Sequence, residues 1–167
     1  KVDEPIRAAI VRMDPDGKHM ETVASGLRNA LGIRIVNNQL FATTHAVDHL
    51  GTERPEDLFL KVVDGKNYGW PFCYQYQKHI YTDTTQRWTR VVDCQSVPLA
   101  EHGFLAHSAV MSFDLIQDRF LVALHGSGDK KLGRGYKLVT LDTRDYGEED
   151  FLTGFLEKGA VLGRPVD

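Results

Sequence analysis

Gly32-Ile33-Arg34-Ile35-Val36-Asn37-Asn38-Gln39-Leu40-Phe41-Ala42-Thr43-Thr44 reads as strand, turn, strand. Isoleucine, valine, phenylalanine and threonine suit a pleated, half-buried surface, and paired asparagines tolerate the backbone of a tight turn. The same pattern recurs on both sides of this stretch. Upstream, Ala8-Ala9-Ile10-Val11-Arg12-Met13 stops at Asp14-Pro15-Asp16-Gly17, where proline presets φ and glycine supplies a positive one. Residues 21–24 follow as a further run. Downstream, residues 57–63 alternate before Asp64-Gly65, and residues 89–92, 109–113, 120–124 and 136–141 are again β-branched or aromatic. Glu149-Asp150-Phe151-Leu152 is read as another strand, and residues 25–31 as at most one helical turn between Gly26 and Gly32. Roughly nine or ten short runs between turns predict an all-β antiparallel protein.

Composition narrows the function. Apolar residues make up 42% of the 167, enough to bury a core. Lys and Arg number 20 against 23 Asp and Glu, and basic runs stop at two residues, so nucleic acid and anionic membranes are not expected partners. The apolar runs fall far short of the roughly 18 residues of a membrane span. Lys1-Val2-Asp3-Glu4-Pro5 lacks the apolar core of a signal peptide, so an export signal is expected only upstream.

Strand count constrains the architecture. A propeller blade uses four strands in about 40–50 residues, so this length holds about two and a half to four blades. A closed ring needs more, and an open one exposes sheet edges. A two-sheet sandwich is the alternative that fits 167 residues without missing parts. Residues 45–56 and 65–88 read as long, polar, aromatic-rich loops, a length that is usually functional or stapled down. Cys73 and Cys94 flank much of the second one. They are either a disulfide closing that loop or two separate buried thiols, and the weak apolar pattern between them favours the staple. A disulfide implies an oxidising compartment.

Two motifs carry a resemblance. Ser25-Gly26-Leu27-Arg28-Asn29-Ala30-Leu31-Gly32 and Asn67-Tyr68-Gly69-Trp70-Pro71-Phe72-Cys73-Tyr74 are similar to segments of the soluble glucose/sorbosone dehydrogenases, PQQ-dependent aldose dehydrogenases built on a six-bladed β-propeller. Residues 10–17, Arg54-Pro55-Glu56-Asp57-Leu58, Ala106-His107-Ser108-Ala109, Ala123-Leu124-His125-Gly126-Ser127 and Gly163-Arg164-Pro165-Val166 resemble further family segments in the same order. The resemblance implies a partial β-propeller, about three middle-to-late blades of six, with residues 1–167 as one domain. It also supports the Cys73–Cys94 pairing.

The implied activity is oxidation of a sugar hydroxyl or hemiacetal by hydride transfer to the quinone, with electrons passed to an external acceptor. The implied location is periplasmic or secreted. Arg28 and Asn29 correspond to the quinone-facing motif, and a planar guanidinium pairs with carboxylates in bidentate fashion. His125 falls where some members place a basic PQQ contact, and Arg164 lies where relatives carry further cofactor arginines. The family's calcium is held partly by backbone carbonyls in the loop after the next strand, here Thr44-His45-Ala46-Val47-Asp48, where Asp48 adds a hard oxygen ligand. This chain departs from the family at Thr44-His45-Ala46, at Phe59 and at Gly128-Asp129-Lys130.

None of the seven histidines matches the family's general base, which is expected in an earlier blade together with the remainder of the propeller. His45 and His49 flank Asp48 at a metal-binding spacing that needs a helix, whereas the context is a loop. The alternative to an enzyme is a propeller that has lost its cofactor and binds carbohydrate or protein.

Overall fold

The computed structural model describes residues 6–87 and 92–167. Strands β1 (Ala9–Arg12) and β2 (Glu21–Ser25) pair antiparallel. Between them lies the turn predicted at Asp14–Gly17: the Gly17 N–H donates to the Asp14 carbonyl at 2.8 Å, with Gly17 at φ +81°. Strands β3 (Ala30–Val36), β4 (Gln39–Thr44) and β5 (Asp57–Lys61) follow as an antiparallel run. Asn37 and Asn38 both take positive φ, the mirror-image turn whose twist matches the flanking strands. Strand β6 (Lys66–Asn67) returns to lie parallel to β2.

Next come the hairpin β7 (Cys73–Tyr76) and β8 (His79–Thr82), then β9 (His102–Phe104), which pairs with β5 and completes a four-stranded sheet. Strands β10 (Val110–Ile116), β11 (Arg119–Leu124), β12 (Lys137–Asp142) and β13 (Glu148–Leu152) form a second four-stranded antiparallel sheet. The hairpin β14 (Leu156–Glu157) and β15 (Ala160–Val161) follows it.

The expected runs correspond to β1–β5 and β10–β13. The run at 89–92 lies outside the described residues except for Val92. Residues 25–31 form no helical turn; they carry the chain from the end of β2 into β3. Within the stretch read as a loop at 65–88, the described residues 65–87 carry β6 and the β7–β8 hairpin.

Face-to-face packing of the sheets explains which side chains are apolar. Ile10, Val23 and Ala24 of the β1–β2–β6 sheet pack with Ala42 and Leu60 of the β3–β4–β5–β9 sheet. The opposite face of that middle sheet presents Phe41, Phe59 and Phe104 to Phe113, Phe120, Val122 and Val139 of the β10–β13 sheet. Period-two alternation sends neighbouring residues to opposite faces, so Phe41 and Ala42, or Phe59 and Leu60, serve two different cores. Phe59 is fully buried, with the rings of Phe113 and Phe120 each 4.9 Å away and that of Phe41 5.5 Å away. Three successive sheets stacked in this way make a partial β-propeller with no closed ring. Among the described residues no helix is long and apolar enough to cross a membrane.

Candidate functional site

The two motifs meet. The Tyr68 N–H donates to the Ser25 carbonyl at 2.8 Å, and the Trp70 N–H donates to the Gly26 carbonyl at 3.0 Å. Gly26 sits at φ +70°, and a Cβ there would lie 2.3 Å from Asn67 Oδ1 and 2.6 Å from the Gly69 nitrogen. Only glycine fits such an approach. Asn67 Oδ1 also accepts the Gly69 N–H at 2.8 Å, so its side chain holds the second motif's turn. Leu27 is buried in the core beside this junction, and Arg28 emerges from it.

Arg28 turns toward the loop after β4. Its Nη1 donates to the Ala46 carbonyl at 2.7 Å, and its Nη2 lies 3.7 Å from the Asp48 carboxylate. That loop is pinned from several sides. The Asp57 carboxylate, buried at the start of β5, accepts the Ala46 N–H at 2.8 Å and the Ala109 N–H at 2.7 Å. His45 Nε2 contacts the Val110 carbonyl at 2.6 Å. A carbonyl only accepts, so the ring proton sits on Nε2. His107, in the connection between β9 and β10, donates from Nε2 to the Gly51 carbonyl at 2.8 Å, with Nδ1 3.3 Å from Asp48. Arg134 holds Glu53 at 2.6 Å and also bonds the Thr52 carbonyl.

These residues enclose a polar cleft of about 300 Å³ lined by Arg28, Asn29, His45, Asp48, Asp57 and His107, with Gly128 at its border. Burial pushes the Asp57 carboxyl above its ordinary range, against the two N–H donors and the nearby His45 and His107, which favour the ionised form. A smaller cavity of about 50 Å³ adjoins it, sharing Arg28, His45 and Ala46 and walled by Trp70, Tyr74 and Pro55. Cys73 on its wall is bonded to Cys94, so the expected disulfide is present. Asp83 also lines this cavity and meets His49 Nε2 at 2.8 Å. Burial pushes the Asp83 carboxyl up, but hydrogen bonds from Thr85 and His49 outweigh it and hold the group below the usual range.

Of the residues singled out from the sequence, Arg28, Asn29 and Asp48 come together at the cleft. His45 and His49 part company, one bonded to Val110 and the other to Asp83. His125 lies elsewhere, its Nδ1 3.2 Å from the Pro165 carbonyl. Arg164 donates to the carbonyls of Gly126 at 2.9 Å and Ser127 at 3.3 Å, and its guanidinium stacks 4.9 Å above the Tyr136 ring. Neither His125 nor Arg164 lines the cleft. Asp57 and His107 fall in family-like segments that give them no site role, and Arg134 is not singled out by the sequence. The signal available for Asp57 was an acid opening an otherwise apolar strand; the contacts of His107 and Arg134 could not be read locally, because their partners are 56 and 82 residues away.

The donor set suits an anion better than a metal. Arg28 presents a planar guanidinium to the cleft, which fits a carboxylate of PQQ. Calcium asks for six to eight oxygens. Here the Ala46 carbonyl is taken by Arg28, and Asp48 is met by Arg28 and His107. Among the described residues no three His, Cys, Asp or Glu side chains converge as a metal-holding group. The cleft does not fit calcium.

No protein-family model matches the chain. An uncharacterized protein of Borreliella burgdorferi is 26% identical over 186 aligned positions that take in all of this chain and 48% of that protein. Among solved structures, the PQQ-bound aldose sugar dehydrogenase of Streptomyces coelicolor superposes with a TM-score of 0.66 at 18% identity, covering 94% of this chain and 41% of that one. The holo PQQ domain of pyranose dehydrogenase from Coprinopsis cinerea gives 0.62 at 17%, covering 95% and 48%. A calcium structure of the Trichoderma reesei AA12 carbohydrate-active enzyme gives 0.66 at 17%, covering 80% and 44%. The chain thus spans less than half the length of each of these relatives. It has part of the β-propeller fold of the PQQ-dependent soluble sugar dehydrogenases, which it resembles in tertiary structure.

Proposed function

We propose that residues 1–167 are one sector of a PQQ-dependent sugar dehydrogenase-like propeller, and that the cleft at Arg28 contributes to holding the quinone. One observation carries this reading: the two family-like motifs are hydrogen-bonded to each other so that Arg28 faces a polar cleft between two sheets. When bound, PQQ supplies a two-electron acceptor for oxidation of a sugar hydroxyl or hemiacetal carbon. Within this chain, Arg28 pairs with a carboxylate of the cofactor, and Asn29 offers an amide beside it. Asp57 and His45 hold the backbone on which that geometry depends. The base that takes the hydroxyl proton belongs to an earlier blade in this reading, and the electrons leave to an external acceptor. The Cys73–Cys94 bond supports a periplasmic or secreted setting.

A cofactor-free propeller that binds carbohydrate or protein is the second reading, favoured by the poor fit of calcium at Asp48. Titration of the full chain with PQQ, followed by quinone absorbance, separates the two. Saturable binding that weakens by about ten- to a hundredfold in Arg28→Ala supports the first reading. Absence of binding, with a sugar still retained, supports the second.

A further inference from the structure

The oxygens that the loop after β4 offers to the cleft converge on one group. The Ala46 carbonyl accepts from Arg28 Nη1 at 2.7 Å, and the Asp48 carboxylate lies 3.7 Å from Nη2 of the same guanidinium. Asp48 is met from its other side by His107. A divalent ion taking these oxygens would sit against a permanent positive charge and displace its hydrogen bond. Guanidinium does not deprotonate in proteins, so the charge stays in place across the physiological pH range.

We propose that Arg28 is the built-in cation of this cleft: its guanidinium occupies the Ala46–Asp48 corner that would otherwise take calcium, and the cleft binds its carboxylate ligand without a divalent metal. The loop is anchored for this role. Asp57 fixes the Ala46 N–H, so the Ala46 carbonyl is presented on a backbone tied to the next sheet through Ala109. Arg28 is held at two of its three nitrogens on one side and is partly exposed on the other, which leaves N–H donors for a ligand carboxylate. The guanidinium beside Asp48 offsets the repulsion an acidic cofactor would meet there. The ligand's identity rests on the reading proposed above; the exclusion of calcium does not.

Two calorimetric titrations of the chelator-stripped full chain test this. In the first, calcium chloride is added to wild type and to Asp48→Asn. Asp48 is 77% exposed, so the variant keeps its fold, which circular dichroism checks. Flat calcium titrations of both proteins support the proposal, and a calcium isotherm in wild type overturns it. In the second, PQQ is added in chelator and in excess calcium. Equal affinities mean no coupling between the two ligands and support the proposal; binding that appears only with calcium overturns it. PQQ binding under neither condition sinks the proposed cofactor, and the first titration then decides the calcium question alone.

Discussion

The Asp57 carboxylate accepts the Ala109 N–H at 2.7 Å, joining residues 52 apart in the chain, while its other oxygen takes the Ala46 N–H at 2.8 Å. One buried acid therefore fastens the loop after β4 to the entrance of β10, where the cleft lies between two sheets. Asp57→Ala leaves both N–H groups without that acceptor and is expected to cost about 2–5 kcal/mol. Asp57→Asn, which keeps one acceptor oxygen, should cost less. Urea unfolding of the three proteins checks the order; equal stability of Asp57→Ala and wild type would remove the fastening role.

Phe59 is the centre of the inter-sheet core. Truncation to alanine removes a ring packed on Phe41, Phe113 and Phe120 and should destabilise by about 3–5 kcal/mol, with Phe59→Leu retaining part of the loss. Denaturant midpoints at unchanged slope provide the measurement.

The Cys73–Cys94 bond closes a loop with a sequence separation of 21. Its removal, by reduction or as the paired serine variant, should lower stability by about 3 kcal/mol in the chain-entropy view. A melting curve indifferent to reductant would show that the β7–β8 hairpin needs no staple.

Glu148 lies 2.9 Å from His102 and 3.3 Å from Lys137, joining β13 to β9 of the neighbouring sheet. Burial pushes its carboxyl up, but the hydrogen bonds and positive charges of His102 and Lys137 outweigh this and hold it below the ordinary 4.5. The native state therefore binds this proton less readily than the unfolded chain. Its stabilisation is full above the unfolded value and drains away as pH falls through the depressed native one. Glu148→Gln should lower stability at neutral pH and flatten its decline on the acid side. Unfolding free energies measured from pH 7 down to 3 test the slope.

Gly26→Ala should be among the most damaging small substitutions. The added carbon meets Asn67 Oδ1 and the Gly69 backbone, and the residue sits at φ +70°. Loss of folded yield, with Gly17→Ala much milder because open space surrounds that turn, is the expected contrast.

Much of the fold was legible because its causes are local. Strand β4 spans the predicted run, since alternation between two buried faces and the Asn37-Asn38 turn are written in adjacent residues. β6 and β9, by contrast, are two or three residues long and owe their strand character to β2 and β5, partners far away in sequence. The β7–β8 hairpin was hidden because Gln77 and Lys78, residues with no turn preference, adopt its positive φ.

For the site the division is sharper. The family-like motifs singled out Arg28, Asn29, Asp48, His125 and Arg164, and the polar stretch between the cysteines pointed to their pairing, because each chemistry belongs to a side chain. Which group each side chain meets was settled only by tertiary packing. Arg28 finds the Ala46 carbonyl 18 residues on, and Arg164 closes on Gly126 and Tyr136, 38 and 28 residues back. Hydrogen bonds are short-ranged and directional, so a chain's residue order can name the donors and acceptors, while only the stacking of its sheets brings particular ones within 3 Å.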